Sequence, residues 1–293
     1  MREIVTNAED LVAVSVIGHV ANPSLSGLPA EPYRLDADGN AFLWPSFGGL
    51  VYNVSVGDRA FGWAGDCVHP SVSIAHPDAN KNRGLNIFAC VGNSAMVTGG
   101  AAAGAGGVVT GKSGRFSDQV IIHFDVETRR KLAVDDPILV MAEGVGLRVP
   151  NCPDVAFKSL APSLFELLPK RLDNGVLNIG VCAVVPPHLV GAGAGLTSEG
   201  GSLHIQSTDR EDLARHGLND LRLGDVVAIA DTDSRYNHGY LRGACSIGIV
   251  GQTDGPRAGY GPGMTVVMTA PAGQLGHFLS VGTNIADILG LRP

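Results

Sequence analysis

Apolar positions along the chain alternate with polar ones at a period of two, or run unbroken for a few residues, between clusters of Gly, Pro, Asn and Asp. That pattern marks short strands. It predicts strands over 11–20, 50–56, 85–91, 119–125, 138–143, 176–185, 225–230, 244–250 and 264–269. Helical signals are few. Thr208 and Glu211 have capping-box spacing, and Gly217 stands where a left-handed C-terminal residue is needed, so 209–216 reads as a short helix. Residues 162–168 and 283–289 read as two more. Many strands against a few short helices predict a mainly-β or α+β protein. We expect two small β-rich, barrel-like domains, 1–155 and 156–293, divided where Pro150-Asn151-Cys152-Pro153-Asp154 interrupts regular structure. Two glycine-aspartate turns, Val56-Gly57-Asp58 and Leu223-Gly224-Asp225, would supply the tight corners that small barrels need.

Composition narrows the function classes. Of 293 residues, 45% are hydrophobic and 17% charged, enough apolar material for a sizeable core. Forty glycines point to tight turns and close backbone approaches. A net charge of −7 without a basic run argues against a nucleic-acid partner. No apolar stretch is long enough to span a bilayer, and the N-terminus lacks the basic and small-residue flanks of a secretory signal. A cytoplasmic location is the expectation. Five cysteines without a Cys-x-x-Cys pair do not suggest a disulfide framework. Few charges to cover the surface, together with strand edges, predict a homo-oligomer.

Candidate chemistry is scattered. Gly106 to Ser113 spells a phosphate-loop motif, but a glycine-alanine run precedes it and a strand pattern follows. A glycine-rich hairpin is therefore expected, with Lys112 not a nucleotide lysine. Asp66-Cys67-Val68-His69, with His76 nearby, is the densest cluster of ligand-type residues. Cys67 and His69 fall on one side of an extended chain, as metal ligands or as a thiolate–imidazole pair. Within Asp231-Thr232-Asp233-Ser234-Arg235-Tyr236-Asn237-His238, Asp231 and Asp233 can offer oxygens to a hard cation, or Asp233 can orient His238 as a general base. Gly193 and Gly195, and Gly261 and Gly263, lie in runs whose amides suit anion nests or an oxyanion hole. We expect Cys67 and His69 to converge with Asp231, Asp233 and His238 on one site, because each cluster alone is too small for metal-assisted chemistry.

Several phrases taken together resemble a known family. They are Phe61-Gly62-Trp63-Ala64-Gly65-Asp66, Ala89-Cys90-Val91-Gly92-Asn93, Val109-Thr110-Gly111-Lys112, His204-Ile205-Gln206-Ser207-Thr208-Asp209, Leu223-Gly224-Asp225-Val226-Val227-Ala228-Ile229 and Gly261-Pro262-Gly263. They resemble DUF4438, a prokaryotic family without an established reaction, over residues 10 to 270. The resemblance implies a two-part, β-rich protein. It also implies more histidine and aspartate around the hairpin and before the Gly-Pro-Gly turn, where Thr232, Ser234, Gln252 and Tyr260 stand here. No catalytic residue carries over from the family. The functional expectation is a hydrolase for a small, cyclic amide or ester, with a divalent metal ion as its candidate cofactor. The alternative is a non-catalytic small-molecule binding protein or an oligomeric structural subunit. Neither reading includes a nucleic-acid or membrane partner.

Overall fold

The computed structural model describes residues 4–23, 33–114, 118–199 and 201–292. The first half contains β1 (Val14–Val20), a ribbon of β2 (Arg34–Leu35) and β3 (Ala41–Phe42), β4 (Val72–Ala75) and α1 (Ala79–Phe88). It continues through β5 (Ser94–Val97), β6 (Gly106–Ser113), β7 (Gln119–His123), α2 (Val126–Lys131) and β8 (Pro137–Ala142). Six of these strands close a barrel in the order β1-β4-β7-β6-β5-β8. Its interior is filled by Val20, Val72, Ile74, Val109, Val120, Ile122, Ile138 and Val140, the inward members of the strand alternation.

The second half holds β9 (Ala156–Phe157), α3 (Pro162–Leu167), β10 (Lys170–Asp173), β11 (Val176–Val181), β12 (Ala183–Val185) and β13 (Ser202–His204). Then come α4 (Arg210–Arg215), β14 (Val226–Asp233), β15 (Gly239–Gln252), β16 (Gly263–Ala270), β17 (Leu275–Leu279) and α5 (Ile285–Ile288). Here the strands form a larger sheet ordered β12-β14-β15-β16-β13, with β9 on β16, and a three-stranded sheet β10-β11-β17. The chain is thus mostly strand with a few short helices, and the barrel closes in its first half. No helix among the described residues is long and apolar enough to cross a membrane.

Several sequence expectations need correction. Residues 85–91 are not a strand: 79–88 form α1, started by the Asp78 carboxylate, which accepts from the Lys81 N–H. Segment 50–56 makes only an isolated bridge, Leu50 to Val72. Run 176–185 splits at Cys182 into β11 and β12, which belong to different sheets. Asp209, not Thr208, caps α4 by accepting from the Asp212 N–H. The glycine-rich 106–113 segment is the first arm of the β6–β7 hairpin.

The halves meet along two seams. The two glycine-aspartate turns bond to each other, Gly57 N to Leu223 O at 2.7 Å and Leu223 N to Asp58 O at 2.8 Å. At the other seam, β6 lies against β15 and β16. A Cβ on Gly111 would sit 3.4 Å from Gly251 Cα, and the Thr265 hydroxyl accepts from the Lys112 N–H at 2.9 Å. Packing also crosses between the halves: Val54, Phe61 and Val68 share a core cluster with Leu203, Leu213 and Val266. This second seam places the ends of β6, β13 and β15 side by side.

Candidate active site

At those strand ends is a cavity lined by Phe47, Ser113, Ser202, His204, His238 and Tyr260, with loop residues Gly193 and Glu199. It leaves about 50 Å³ for the centres of water-sized spheres, room for a few waters or one small polar group. A Cβ on Gly193 would sit 2.4 Å from Ser202 O, and φ there is +98°, so the loop at this wall requires glycine.

The polar groups form a directed network. His204 Nδ1 donates to the Gly261 carbonyl at 2.9 Å, which leaves Nε2 of the neutral ring as a lone pair. Ser202 Oγ lies 3.4 Å from that nitrogen but gives its hydrogen to Gln252 Oε1 at 3.1 Å. Gln252 Nε2 in turn donates to His69 Nε2 at 2.9 Å and Ser113 Oγ at 3.0 Å. His69 therefore carries its proton on Nδ1 and gives it to Ser73 Oγ at 2.7 Å. The small size of Gly263 makes room for this arrangement, because a Cβ there would lie 2.1 Å from Gln252 Oε1 and 3.1 Å from His204 Cε1.

His238 reaches the cavity from the other side. Its Nδ1 pairs with Ser234 Oγ at 2.9 Å, while Nε2 is buried without a protein partner. Ser246 Oγ gives its hydrogen to Thr232 O at 2.8 Å and receives one from Thr269 Oγ1 at 2.8 Å. Ser234 Oγ, also 3.3 Å from Ser246 Oγ as an acceptor, has its own hydrogen available for His238 Nδ1, an arrangement in which the ring proton sits on Nε2. Lys158 fastens the adjoining loop to the hairpin through Ser198 Oγ, Glu199 Oε1 at 2.8 Å and Ser234 O at 3.0 Å. Burial lowers the pKa of His204 below the ordinary value and takes that of His238 to about 4 and that of His69 to about 3. At neutral pH all three rings are uncharged.

The predicted residues fare unevenly. His238 lines the cavity, and His69 joins its network through Gln252. Cys67 is sealed in, with Sγ 3.9 Å from His204 Nδ1 and 3.7 Å from Tyr260 O. Burial first, then the Asp66 carboxylate, pushes its thiol well above the usual range, and His204 Nδ1 is already committed to Gly261. It forms no thiolate–imidazole pair with His69 either, whose ring nitrogens are taken by Ser73 Oγ and Gln252 Nε2. Asp66 forms a buried ion pair with Arg257 at 3.1 Å, beneath the Tyr260 ring. Asp233 does not orient His238: it holds Arg235 at 2.9 Å, and Ser234 takes the orienting role. Asp231 accepts from the Gly243 N–H, and His76 Nδ1 accepts from the Asp78 N–H.

Cys67, His69, His76 and Asp231 do not form a metal centre. Among the described residues, a group of at least three His, Cys, Asp or Glu ligand atoms mutually within 4.8 Å occurs elsewhere, on the surface. The glycine nests are also corrected. Gly195 N donates to His238 O and Gly261 N to Ile205 O, so neither amide is available to an anion. Gly263 is the first residue of β16. Sequence reasoning missed Ser113, Ser202 and His204 as site residues. The available signal was a polar residue set in or ending an apolar strand run, since a buried polar side chain calls for an explanation.

Residues 33–166 match the N-terminal and residues 167–289 the C-terminal part of a domain of unknown function, DUF4438. A solved structure described as the crystal structure of TM1086 is 38% identical, with a TM-score of 0.91 over 98% of this chain and 99% of that one. Comparison with curated proteins gave no match.

Proposed function

From a chain that belongs to the DUF4438 family, we propose a hydrolase acting on a small amide or ester in the cavity between β13 and the 234–238 hairpin. One observation carries this reading. Two buried imidazoles line the same cavity, His204 with a lone pair on Nε2 and His238 with an Nε2 that has no protein partner, which carries the hydrogen when Ser234 donates to Nδ1. That is the complement a carbonyl substrate and a water require. His204 accepts a proton from the attacking water and returns it to the departing amine or alcohol as the acyl C–N or C–O bond breaks, while His238 donates a hydrogen bond to the carbonyl oxygen as charge builds there. The Gly261 carbonyl, accepting from Nδ1, keeps the basic nitrogen of His204 in place.

The test is a panel of small cyclic amides and esters followed by titration of released acid. Turnover should drop by about 100-fold or more in His204→Ala and in His238→Ala, with the far-ultraviolet spectrum retained. Because burial disfavours the protonated rings, wild-type activity should persist below pH 6.5, the ordinary histidine value. No turnover across the panel, or undiminished rates in both variants, would overturn the hydrolase reading. A second reading, a non-catalytic binding site, draws on the burial of His204, which lowers its pKa below the ordinary histidine value and weakens it as a base. It is favoured by saturable binding of a panel member that is never cleaved.

A further inference from the structure

Away from the cavity, one helix face and one turn bring three metal-ligand side chains together. Asp212 and His216 are four residues apart, in and just after α4, so they lie over one another on the same face. His188 comes from the 3-10 turn Pro187–Leu189, which follows β12. His188 Nε2 is 2.8 Å from Asp212 Oδ2, and His216 Nε2 is 3.8 Å from Asp212 Oδ1. All three ligand atoms lie within 4.8 Å of one another. Tetrahedral ligands at the usual roughly 2.0–2.2 Å from a zinc ion stand about 3.3–3.6 Å apart, between the two spacings seen here.

We propose that His188, Asp212 and His216 form a transition-metal site of the zinc class, with three protein ligands and water completing the shell. Two imidazoles and one carboxylate favour zinc, nickel or copper over magnesium or calcium, which prefer all-oxygen shells. The frame is built before the ion arrives. Pro186 and Pro187 set the backbone ahead of His188, the Leu189 carbonyl accepts from Gln206 N at 2.8 Å, and the His188 carbonyl accepts from Gln206 Nε2 at 3.2 Å. The α4 helix is anchored by the fully buried Leu213. The Asp212 carboxylate is already turned toward both imidazoles, with Oδ2 2.8 Å from His188 Nε2 and Oδ1 3.8 Å from His216 Nε2. On binding, the proton on His188 Nε2 moves through solvent to Nδ1, and the ion takes its place beside Asp212. Arg215 stays on or near the carboxylate, 2.8 Å from Oδ1 in the metal-free arrangement.

The site also has a place in the fold. The segment from His188 leads directly to Ala192 and Gly193, which line the cavity. A metal joining the Pro187–Leu189 turn to α4 would therefore brace one cavity wall from behind, whatever the cavity binds.

The experiment uses the full-length, tag-free chain, stripped with a chelator and titrated with zinc chloride. Calorimetry and thermal melting are recorded for wild type, His188→Ala and His216→Ala. Both imidazoles are solvent-exposed or half-buried, so the variants should fold and melt like wild type without zinc. We expect one zinc per chain, a higher melting temperature with zinc in wild type, and affinity lower by about tenfold or more in each variant. Three results overturn the proposal: no saturable binding, binding that neither substitution weakens, or one zinc per two chains.

Discussion

The protein uses the same side chain in two opposed settings. His204 and His238 are buried, each with one nitrogen held by the protein, and burial keeps them neutral. His188 and His216 stand around the Asp212 carboxylate at the surface, where solvent reaches them. In the cavity, each ring's fixed hydrogen bond assigns its tautomer and therefore its chemical role. At the surface the His188 hydrogen bond to Asp212 is open to water, so the ring can move its proton to Nδ1 and take a metal in its place. Burial specifies direction, and exposure keeps exchange open.

The sharpest way to break this comparison is through the arginine–aspartate pair in each region. Arg257→Ala removes the guanidinium 3.1 Å from the carboxylate of Asp66, which is only 1% exposed. It should lower unfolding stability by about 3 kcal/mol, read from the urea midpoint. A loss below about 1 kcal/mol would mean that the cavity floor is as well solvated as the surface.

An intermediate effect should appear on acidification. The unfolded chain takes up histidine protons as pH falls through 6.5, whereas folded His238 resists until about pH 4 and His69 until about pH 3. The folded state binds fewer protons in that window, so stability is full above pH 6.5 and declines toward pH 4. His238→Gln, which has no titrating ring, should show a shallower decline between pH 6.5 and 4. Equal slopes would show that His238 is not desolvated. The smallest change is expected at the surface: Arg215→Ala removes an exposed partner of Asp212 and should shift stability by less than about 1 kcal/mol.

Much of the strand content was legible because β7, β8 and β14 to β16 contain runs of apolar and β-branched residues between turn signals. Misreadings came where a local signal had two solutions. Leu85 to Val91 is apolar enough for a strand, but only Leu85 and Asn86 of α1 are buried, and the polar turns upstream complete a helix capped by Asp78. In the site, His238 was visible as a histidine ending a polar hairpin. His204, Ser202 and Ser113 were not, because single polar residues among apolar neighbours look alike in sequence whether or not they face a cavity. Asp233 was the natural partner for His238 by charge, yet the backbone gives Ser234 that place and turns Asp233 to Arg235.

Sequence alone determined the β-rich class, the family, the turn glycines and the net negative charge without a basic run, since each depends on local pattern or composition. Tertiary structure decided which polar residues meet. Ser113 ends β6, His204 ends β13, and His238 and Gln252 stand at opposite ends of β15; they are joined only where the barrel docks on the sheet. The ionisation of those rings is decided there too, because desolvation depends on everything packed around a group and not on its neighbours in the chain.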